Sequence, residues 1–204
     1  NIDNFNPMEH TLDYEKLSVM DKWILSKLNS TIQTCDSSLE NYKIPETAKA
    51  LQEFVDDLSN WYVRRSRERY WAKGMEQDKV NAYMTLYTCL TEIAKAAAPM
   101  IPFMTEEIYQ NIVVKVDPSA PESIHLCDYP KANEAHVDKE LEADMDLVLK
   151  VVVLGRACRN SGNMKNRQPL ANMFVKAPFT LNEFFKDIIA DELNIKAVTF
   201  TDDV

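Results

Sequence analysis

The sequence is poor in glycine, with three glycines in 204 residues, while 46% of its residues are hydrophobic. Glycine supplies many of the tight turns on which sandwiches and barrels depend. Its scarcity argues against a β fold with many turns and favours helices joined by short connections. A chain of this length buries enough apolar surface for one large domain, with or without a small appendage.

Several features of secreted and membrane proteins are missing. No apolar run approaches the roughly 20 residues of a membrane-spanning helix, and the N-terminus does not look like a signal peptide. The four cysteines are widely spaced without a C-x-x-C pair, so neither a disulfide framework nor a zinc site is indicated. We therefore expect a reduced, cytoplasmic protein without a metal. Because the sequence starts at Asn1 rather than methionine, we also expect a piece of a longer polypeptide.

The motifs of common catalytic sites are also absent. The sequence has no G-x-G-x-x-G, P-loop or nucleophile elbow. Five acids follow Val137 near the start of a predicted long helix, where they complement the helix dipole and need no role in acid–base chemistry. We predict no catalytic residue and no cofactor in this chain, which leaves recognition of a partner as its function.

Charge is unevenly distributed along the chain. The formal net charge is −9, which argues against indiscriminate binding to nucleic acid. Two segments are nevertheless cationic: Trp61–Lys73 carries +4 and Leu147–Asn182 carries +6, so the remainder carries −19. Two cationic segments in a repelling background suit one RNA partner that binds in a defined orientation.

Apolar residues recur every three or four positions along most of the chain, which is typical of amphipathic helices. The predicted helices cover Val19–Leu39, Pro45 to about Gly74, Asp78–Ala97, Thr105–Val113 and a long stretch from Val137. The apolar stripe of the second helix consists of Ala48, Leu51, Val55, Leu58 and Tyr62. The prolines before Thr105 predict a packed corner, after which Thr105 caps the next helix.

The pattern changes after Gly162. Asn172–Lys176 and Lys196–Phe200 alternate like short strands and flank a helical stretch, Leu181–Leu193. The predicted fold class is therefore mainly α, with a linker over residues 1–18, a helical bundle over 19–161 and a small α/β appendage over 162–204.

The arginines near the end of the second helix fall into two sets. At 100° per residue, Arg65 and Arg69 follow the apolar stripe, whereas Arg64, Arg67 and Trp71 lie on the opposite side. A buried arginine needs a carboxylate partner, so we predict structural ion pairs for the first set. Guanidinium groups beside an exposed aromatic ring suit phosphate contacts and base stacking, although a merely solvated face is the alternative.

Four segments together resemble a known family. These are S-N-W-Y-V-R-R-S-R-E-R-Y-W from Ser59, D-K-W-I-L-S-K-L from Asp21, A-P-M-I-P-F-M-T-E-E-I-Y from Ala98 and R-N-S-G-N-M-K-N-R-Q-P-L from Arg159. In this order they are similar to the anticodon-binding domain of isoleucyl-tRNA synthetases, within the class Ia synthetases. The resemblance implies a helical bundle of the class Ia type that recognises the anticodon stem and loop of a tRNA.

The resemblance also implies the partners and the contact residues. ATP-dependent isoleucylation would be carried out by a catalytic domain that this chain lacks, so ATP belongs to the full-length enzyme. The expected partners are an isoleucine tRNA and the catalytic and editing domains of the same polypeptide, and the expected state is a monomer with no membrane attachment. The predicted RNA-binding residues are Arg64, Arg67, Trp71, Lys73, Arg156, Arg159, Asn163, Lys165, Arg167 and Gln168.

Two other functions remain open from the sequence. The same domain occurs in the synthetase for valine, although the closing α/β element and R-Q-P-L favour isoleucine. A helical protein-interaction domain without RNA function is the alternative from another class. An RNA-binding domain would show a steep salt dependence of binding, whereas a protein scaffold would not.

Overall fold

The structure is a computed structural model that describes residues 3–202. The chain folds as two compact units, which divide between Asp138 and Lys139. The helices are α1 (Val19–Glu40), α2 (Ile44–Asp57), α3 (Arg67–Trp71), α4 (Gln77–Ala97), α5 (Pro102–Tyr109), α6 (Lys139–Ser161) and α7 (Glu183–Leu193), and the strands are β1 (Leu170–Lys176) and β2 (Ile195–Thr201). The predicted fold class, mainly helical with a small C-terminal α/β appendage, is confirmed.

Helix α1 is the central helix of the first unit. It begins at a capping box, in which Ser18 Oγ accepts a hydrogen bond from the Asp21 N–H at 3.2 Å and Asp21 Oδ2 accepts one from the Ser18 N–H at 3.1 Å. This arrangement satisfies two N–H groups at the helix start. The helix buries Ile24, Leu28 and Cys35, as their spacing predicts, and packs against both α2 and α4.

The predicted second helix is not continuous. Helix α2 ends at Asp57 and is followed by a π-helical turn, Leu58–Val63, and then by a break at Ser66 before α3. A π turn bonds five residues back instead of four, so it takes one residue more than an α turn. The wider turn is not visible in a hydrophobic pattern analysed at a constant 100° per residue.

The apolar stripe of α2 also differs from the prediction. Ala48 and Val55 are exposed, whereas Thr47 and Phe54 are buried beside Leu51. The face with Ala48 and Val55 is next to the face with Thr47 and Phe54. Because Thr47 is polar, the hydrophobic pattern pointed to the first face, although the second is buried. The buried face includes a polar position, so spacing of hydrophobic residues alone does not identify it.

The corner before α5 is less packed than predicted. The helix resumes at Pro102, three residues before Thr105, because proline suits the first helical turn. Thr105 is buried and donates its hydroxyl hydrogen to the Ile101 carbonyl at 3.0 Å, so it is not an N-cap. Phe103 is 91% exposed. The prediction that this corner is packed is therefore wrong for Phe103.

The described part of the predicted N-terminal linker is folded onto α4. It contains two short 3-10 helices, Pro7–Glu9 and Tyr14–Lys16, followed by the buried Leu17. Tyr83 donates a hydrogen bond to Asp3 at 2.6 Å, and Asn81 donates one to the Lys16 carbonyl at 3.1 Å. Asn1 and Ile2 lie outside the described residues.

The second unit is built around a parallel pair of strands. Strands β1 and β2 pair from Leu170 opposite Ile195 to Lys176 opposite Thr201, and α7 connects them. Helix α6 packs on α7, where a carbon added at Gly155 would lie 2.3 Å from Leu193 Cδ1. Helix α6 therefore belongs to this unit, and the division lies at 138/139 rather than at the predicted 161/162.

Residues 3–202 contain neither a candidate membrane span nor a cluster of metal-ligating side chains. No described helix is long and apolar enough to cross a membrane. Among the same residues, no group of three or more His, Cys, Asp and Glu side chains is placed to hold a metal ion.

Candidate nucleic-acid interface

Helix α3 presents an arginine and a tryptophan to solvent as a stacked pair. Arg67 Cζ lies 5.6 Å from the centre of the Trp71 ring, and Trp71 is 74% exposed. The two residues are four positions apart, which places them on one side of a helix. Lys73 is also exposed just beyond Trp71. The structure thus brings three predicted RNA-binding residues together.

A second arginine–tryptophan pair lies one to two turns earlier in the chain. Arg64 Cζ lies 5.6 Å from the centre of the Trp61 ring, and Arg64 Nε donates a hydrogen bond to the Asn60 carbonyl at 2.7 Å. Arg64 is exposed and Trp61 is partly exposed. Trp61 was not among the predicted site residues. Its position three residues before Arg64 could have indicated the pair, because residues three apart lie on the same side of a helix. A planar cation over an aromatic ring is a preorganised surface for contact with bases and phosphates.

Arg69 has a different environment from Arg67. Its two terminal nitrogens bind the two carboxylate oxygens of Asp21, each at 2.8 Å, while its Nε and one terminal nitrogen bind the carboxylate of Asp78 at 2.9 and 2.8 Å. Tyr62 donates a further hydrogen bond to Asp21 at 2.6 Å. This network joins the starts of α1 and α4 to the segment that carries Arg67 and Trp71.

The Asp21 carboxylate is completely buried, yet its partners keep it ionised. Burial alone raises the pKa of Asp21, but hydrogen bonds from Arg69 and Tyr62 outweigh burial and hold this pKa below its usual value. For Arg69, burial lowers the pKa, and the hydrogen bonds to Asp21 and Asp78 more than compensate, so the pKa is raised. Arg65 is partly buried, and its structural ion pair stays a prediction.

Lys79 fixes the chain immediately after α3. Its side chain is almost completely buried, and its Nζ donates a hydrogen bond to the Ala72 carbonyl at 2.8 Å and forms an ion pair with Asp3 at 3.0 Å. Gly74 then takes a left-handed conformation, with φ of +79°, and turns the chain towards α4. Arg69 and Lys79 together hold the end of the segment on which Trp71 is exposed.

The second unit carries four of its six predicted contact residues on one loop. Asn163, Lys165, Arg167 and Gln168 are all exposed between α6 and β1. Asn163 has a φ of +52°, in the left-handed region that asparagine tolerates better than most residues. Amide and guanidinium groups of this kind form hydrogen bonds with the edges of unpaired bases.

Two other arginines of this unit are already engaged within the protein. Arg159 is 2% exposed, and its terminal nitrogens donate hydrogen bonds to the carbonyl oxygens of Lys165, Gln168, Leu193 and Asn194 at 2.5 to 3.2 Å. Its predicted RNA contact is therefore wrong, because the side chain holds the loop from inside. Arg156 is half-buried and binds the carboxylate of Glu192 at 2.8 Å, so its RNA contact stays a prediction.

Comparison with known proteins gives consistent matches. Residues 21–174 match the family described as "Anticodon-binding domain of tRNA ligase". The chain is 54% identical over 203 residues to the isoleucine–tRNA ligase of Clostridium novyi and 52% identical over 203 residues to that of Clostridium tetani, covering 100% of this chain and 19% of each relative. It is 44% identical over 202 residues to the isoleucine–tRNA ligase of Dehalococcoides mccartyi, covering 97% of this chain and 20% of that relative. The chain thus spans about a fifth of the length of these curated relatives.

Proposed function

Because the chain belongs to the family of anticodon-binding domains of tRNA ligases, we propose that it binds the anticodon stem and loop of an isoleucine tRNA on behalf of a longer ligase. The stacked pair of Arg67 and the 74% exposed Trp71 is the observation that carries this proposal. An exposed aromatic ring with a cation over one face offers a base a stacking surface and a phosphate a positive charge at the same place.

The chemistry of the first surface suits a single-stranded nucleic acid. The free face of Trp71 offers a stacking surface to an unpaired base, and the cations of Arg67 and Lys73 contact phosphates of the same strand. An anticodon loop combines unstacked bases with closely spaced phosphates. Recognition of such a loop needs both kinds of contact on one surface.

The loop between α6 and β1 supplies the second kind of recognition. Asn163 and Gln168 donate and accept hydrogen bonds, whereas Lys165 and Arg167 donate only. These side chains are suited to distinguishing base edges, which a stacking surface does not do. We infer that this loop contributes sequence preference and that the α3 surface contributes affinity.

The longer ligase would supply the chemistry. The activated amino acid, the ATP and the catalytic and editing domains belong to polypeptide outside these 204 residues, and the chain itself acts as a monomeric, cytoplasmic recognition module. We expect the purified chain to give no isoleucine-dependent exchange of pyrophosphate into ATP. Any such exchange above a no-enzyme control contradicts this assignment.

Titration with labelled tRNA transcripts tests the proposal. The dissociation constant for an isoleucine tRNA is measured over a series of salt concentrations, with a valine tRNA as competitor. With phosphate contacts from Arg67 and Lys73, the logarithm of the association constant falls with the logarithm of the salt concentration at a slope of about −2. A slope near zero would support a protein-interaction domain instead, and preference for the valine tRNA would assign the chain to the valine enzyme.

A further inference from the structure

The first unit contains an apolar groove that the proposed tRNA contacts do not use. Its volume is about 750 Å³, and it is lined on one side by α2 with its π turn and on the other by α4 and α5. Its lining includes Val55, Leu90, Ile93, Met104 and Ile108. Val55 is 49% exposed and Met104 is 63% exposed, so the groove opens to solvent. Phe103, the most exposed aromatic residue of the corner, lies directly beside Met104 in the chain.

The two walls of the groove are long enough to contact several turns of a third helix. On α2 and its π turn, Ala48, Val55 and Ser59 face the groove, and on α4 the wall runs from Leu86 to Ala97. Each wall covers 12 residues, a length of about 17 Å at 1.5 Å per residue. A gap of this length between two helices admits about three turns of an amphipathic helix.

The charges around the groove are mostly acidic. Helix α2 contains four acids and one lysine, although its Asp57 pairs with Lys27 of α1 at 3.2 Å, and α5 contains two acids and no basic residue. The lysine, Lys49, lies 3.6 Å from Glu53, so these two charges offset each other. Asp56 is exposed and lines the groove. A helix that binds here is therefore expected to carry basic residues on either side of its apolar stripe.

The relatives have ample additional chain to supply such a helix. This chain spans 19% of the length of the ligases of Clostridium novyi and Clostridium tetani. We propose that an amphipathic helix with basic flanks, from the part of the longer ligase that lies outside these 204 residues, fills the groove between α2 and α4–α5. Contacts of this kind bury the exposed side chains of Val55, Met104 and Ile101 and attach the recognition module to the rest of the enzyme.

Photo-cross-linking in the full-length ligase tests this proposal. The photoreactive residue p-benzoylphenylalanine replaces Val55, and in a matched control it replaces Glu46, which is exposed on the same helix but does not line the groove. We expect an intramolecular cross-link from position 55, mapped by mass spectrometry to an apolar and basic helical peptide outside the 204 residues. Position 46 should give little or no such product. The measurement is made without tRNA, so it does not depend on the function proposed above.

A second pair of variants tests whether the cross-link depends on specific apolar contacts in the groove. Met104 is largely exposed, so we expect Met104→Asn and Met104→Leu both to fold like the parent. In the ligase carrying the photoreactive residue at position 55, Met104→Asn should lower the cross-link yield about fivefold or more, because an amide is buried without a partner. Met104→Leu should retain the yield.

Three outcomes overturn the proposal. A cross-linked product with the mass of two polypeptides assigns the groove to a second copy of the ligase. A cross-link that maps within the 204 residues shows that the groove is covered by this chain itself. A yield at position 55 no greater than that at position 46 shows that the groove is open in the ligase.

Discussion

Arg67 and Arg69 carry the same side chain two residues apart, but their surroundings are opposite. Arg67 lies over an exposed tryptophan, whereas Arg69 is held by the carboxylates of Asp21 and Asp78. The second unit repeats this contrast, since Arg167 is exposed while Arg159 is buried among backbone carbonyls. In both units, one arginine is held by groups within the protein and stabilises the fold, while another is exposed and available to a partner. Mutations that separate stability from tRNA binding test this division.

The largest effect on stability is expected for Arg69→Ala. Its removal leaves Asp21 buried without its cation, which costs about 3 kcal/mol in the free energy of unfolding. Urea or thermal unfolding of the purified chain measures this loss. Arg67→Ala is the matched control and should change stability by less than about 0.5 kcal/mol. If the control is the more destabilising of the two, the assignment of the two helix faces is reversed.

A slightly smaller loss is expected for Arg159→Ala in the second unit. The substitution leaves backbone carbonyls of the 165–168 segment and of the end of α7 without a donor, and the expected loss is about 2 kcal/mol. Lysine does not restore the effect, because its ammonium group does not reproduce the planar fork of a guanidinium. Hydrogen exchange localises the change to the loop and α7. An Arg159→Ala chain that keeps its stability but loses affinity for tRNA would restore the original prediction of direct contact.

The effect of Trp71→Ala should appear in binding rather than in folding. Loss of one stacked base weakens tRNA binding by about 1 to 3 kcal/mol, while a site this exposed changes stability by less than about 0.5 kcal/mol. Trp71→Phe keeps an aromatic face and should recover part of the affinity. The same titration and melting experiments serve for all three proteins. Equal affinities of the alanine variant and the parent would remove Trp71 from the interface.

The smallest effects are expected for single cations. Arg67→Ala and Lys73→Ala each remove one phosphate contact, so each lowers the salt slope by about one. Lys49→Ala, on α2, removes an exposed cation of the same kind outside the proposed surface and should leave the slope unchanged. A slope that falls equally in all three variants would indicate a nonspecific effect of net charge.

Much of the fold could be predicted because hydrophobic spacing is a property of local sequence. The buried face of α1 and the two strands around α7 were predicted from their periods. The exposed positions of Arg67 and Trp71 agree with their predicted side of the helix. Each of these elements keeps one regular geometry over its whole length, so the spacing of its apolar residues in the sequence matches the repeat of the helix or strand.

The remaining differences have physical reasons that spacing does not contain. The burial of Arg159 depends on carbonyls 34 and 35 residues away, at Leu193 and Asn194, and no local pattern reports such a contact. The burial of Thr47 in place of Ala48 depends on which neighbouring face α1 covers. Each is a question of tertiary contact rather than of helix period.

The π turn Leu58–Val63 makes the segment unusually tolerant of a change in length. Removing one residue from a regular helix rotates everything beyond it by about 100°, which would move Arg69 away from Asp21. A π turn already contains one residue more than an α turn, so deletion of the exposed Asn60 allows it to close as an α turn while the flanking helices keep their orientation. A one-residue deletion that would destroy the Arg69 network elsewhere in this segment is therefore accommodated at this turn.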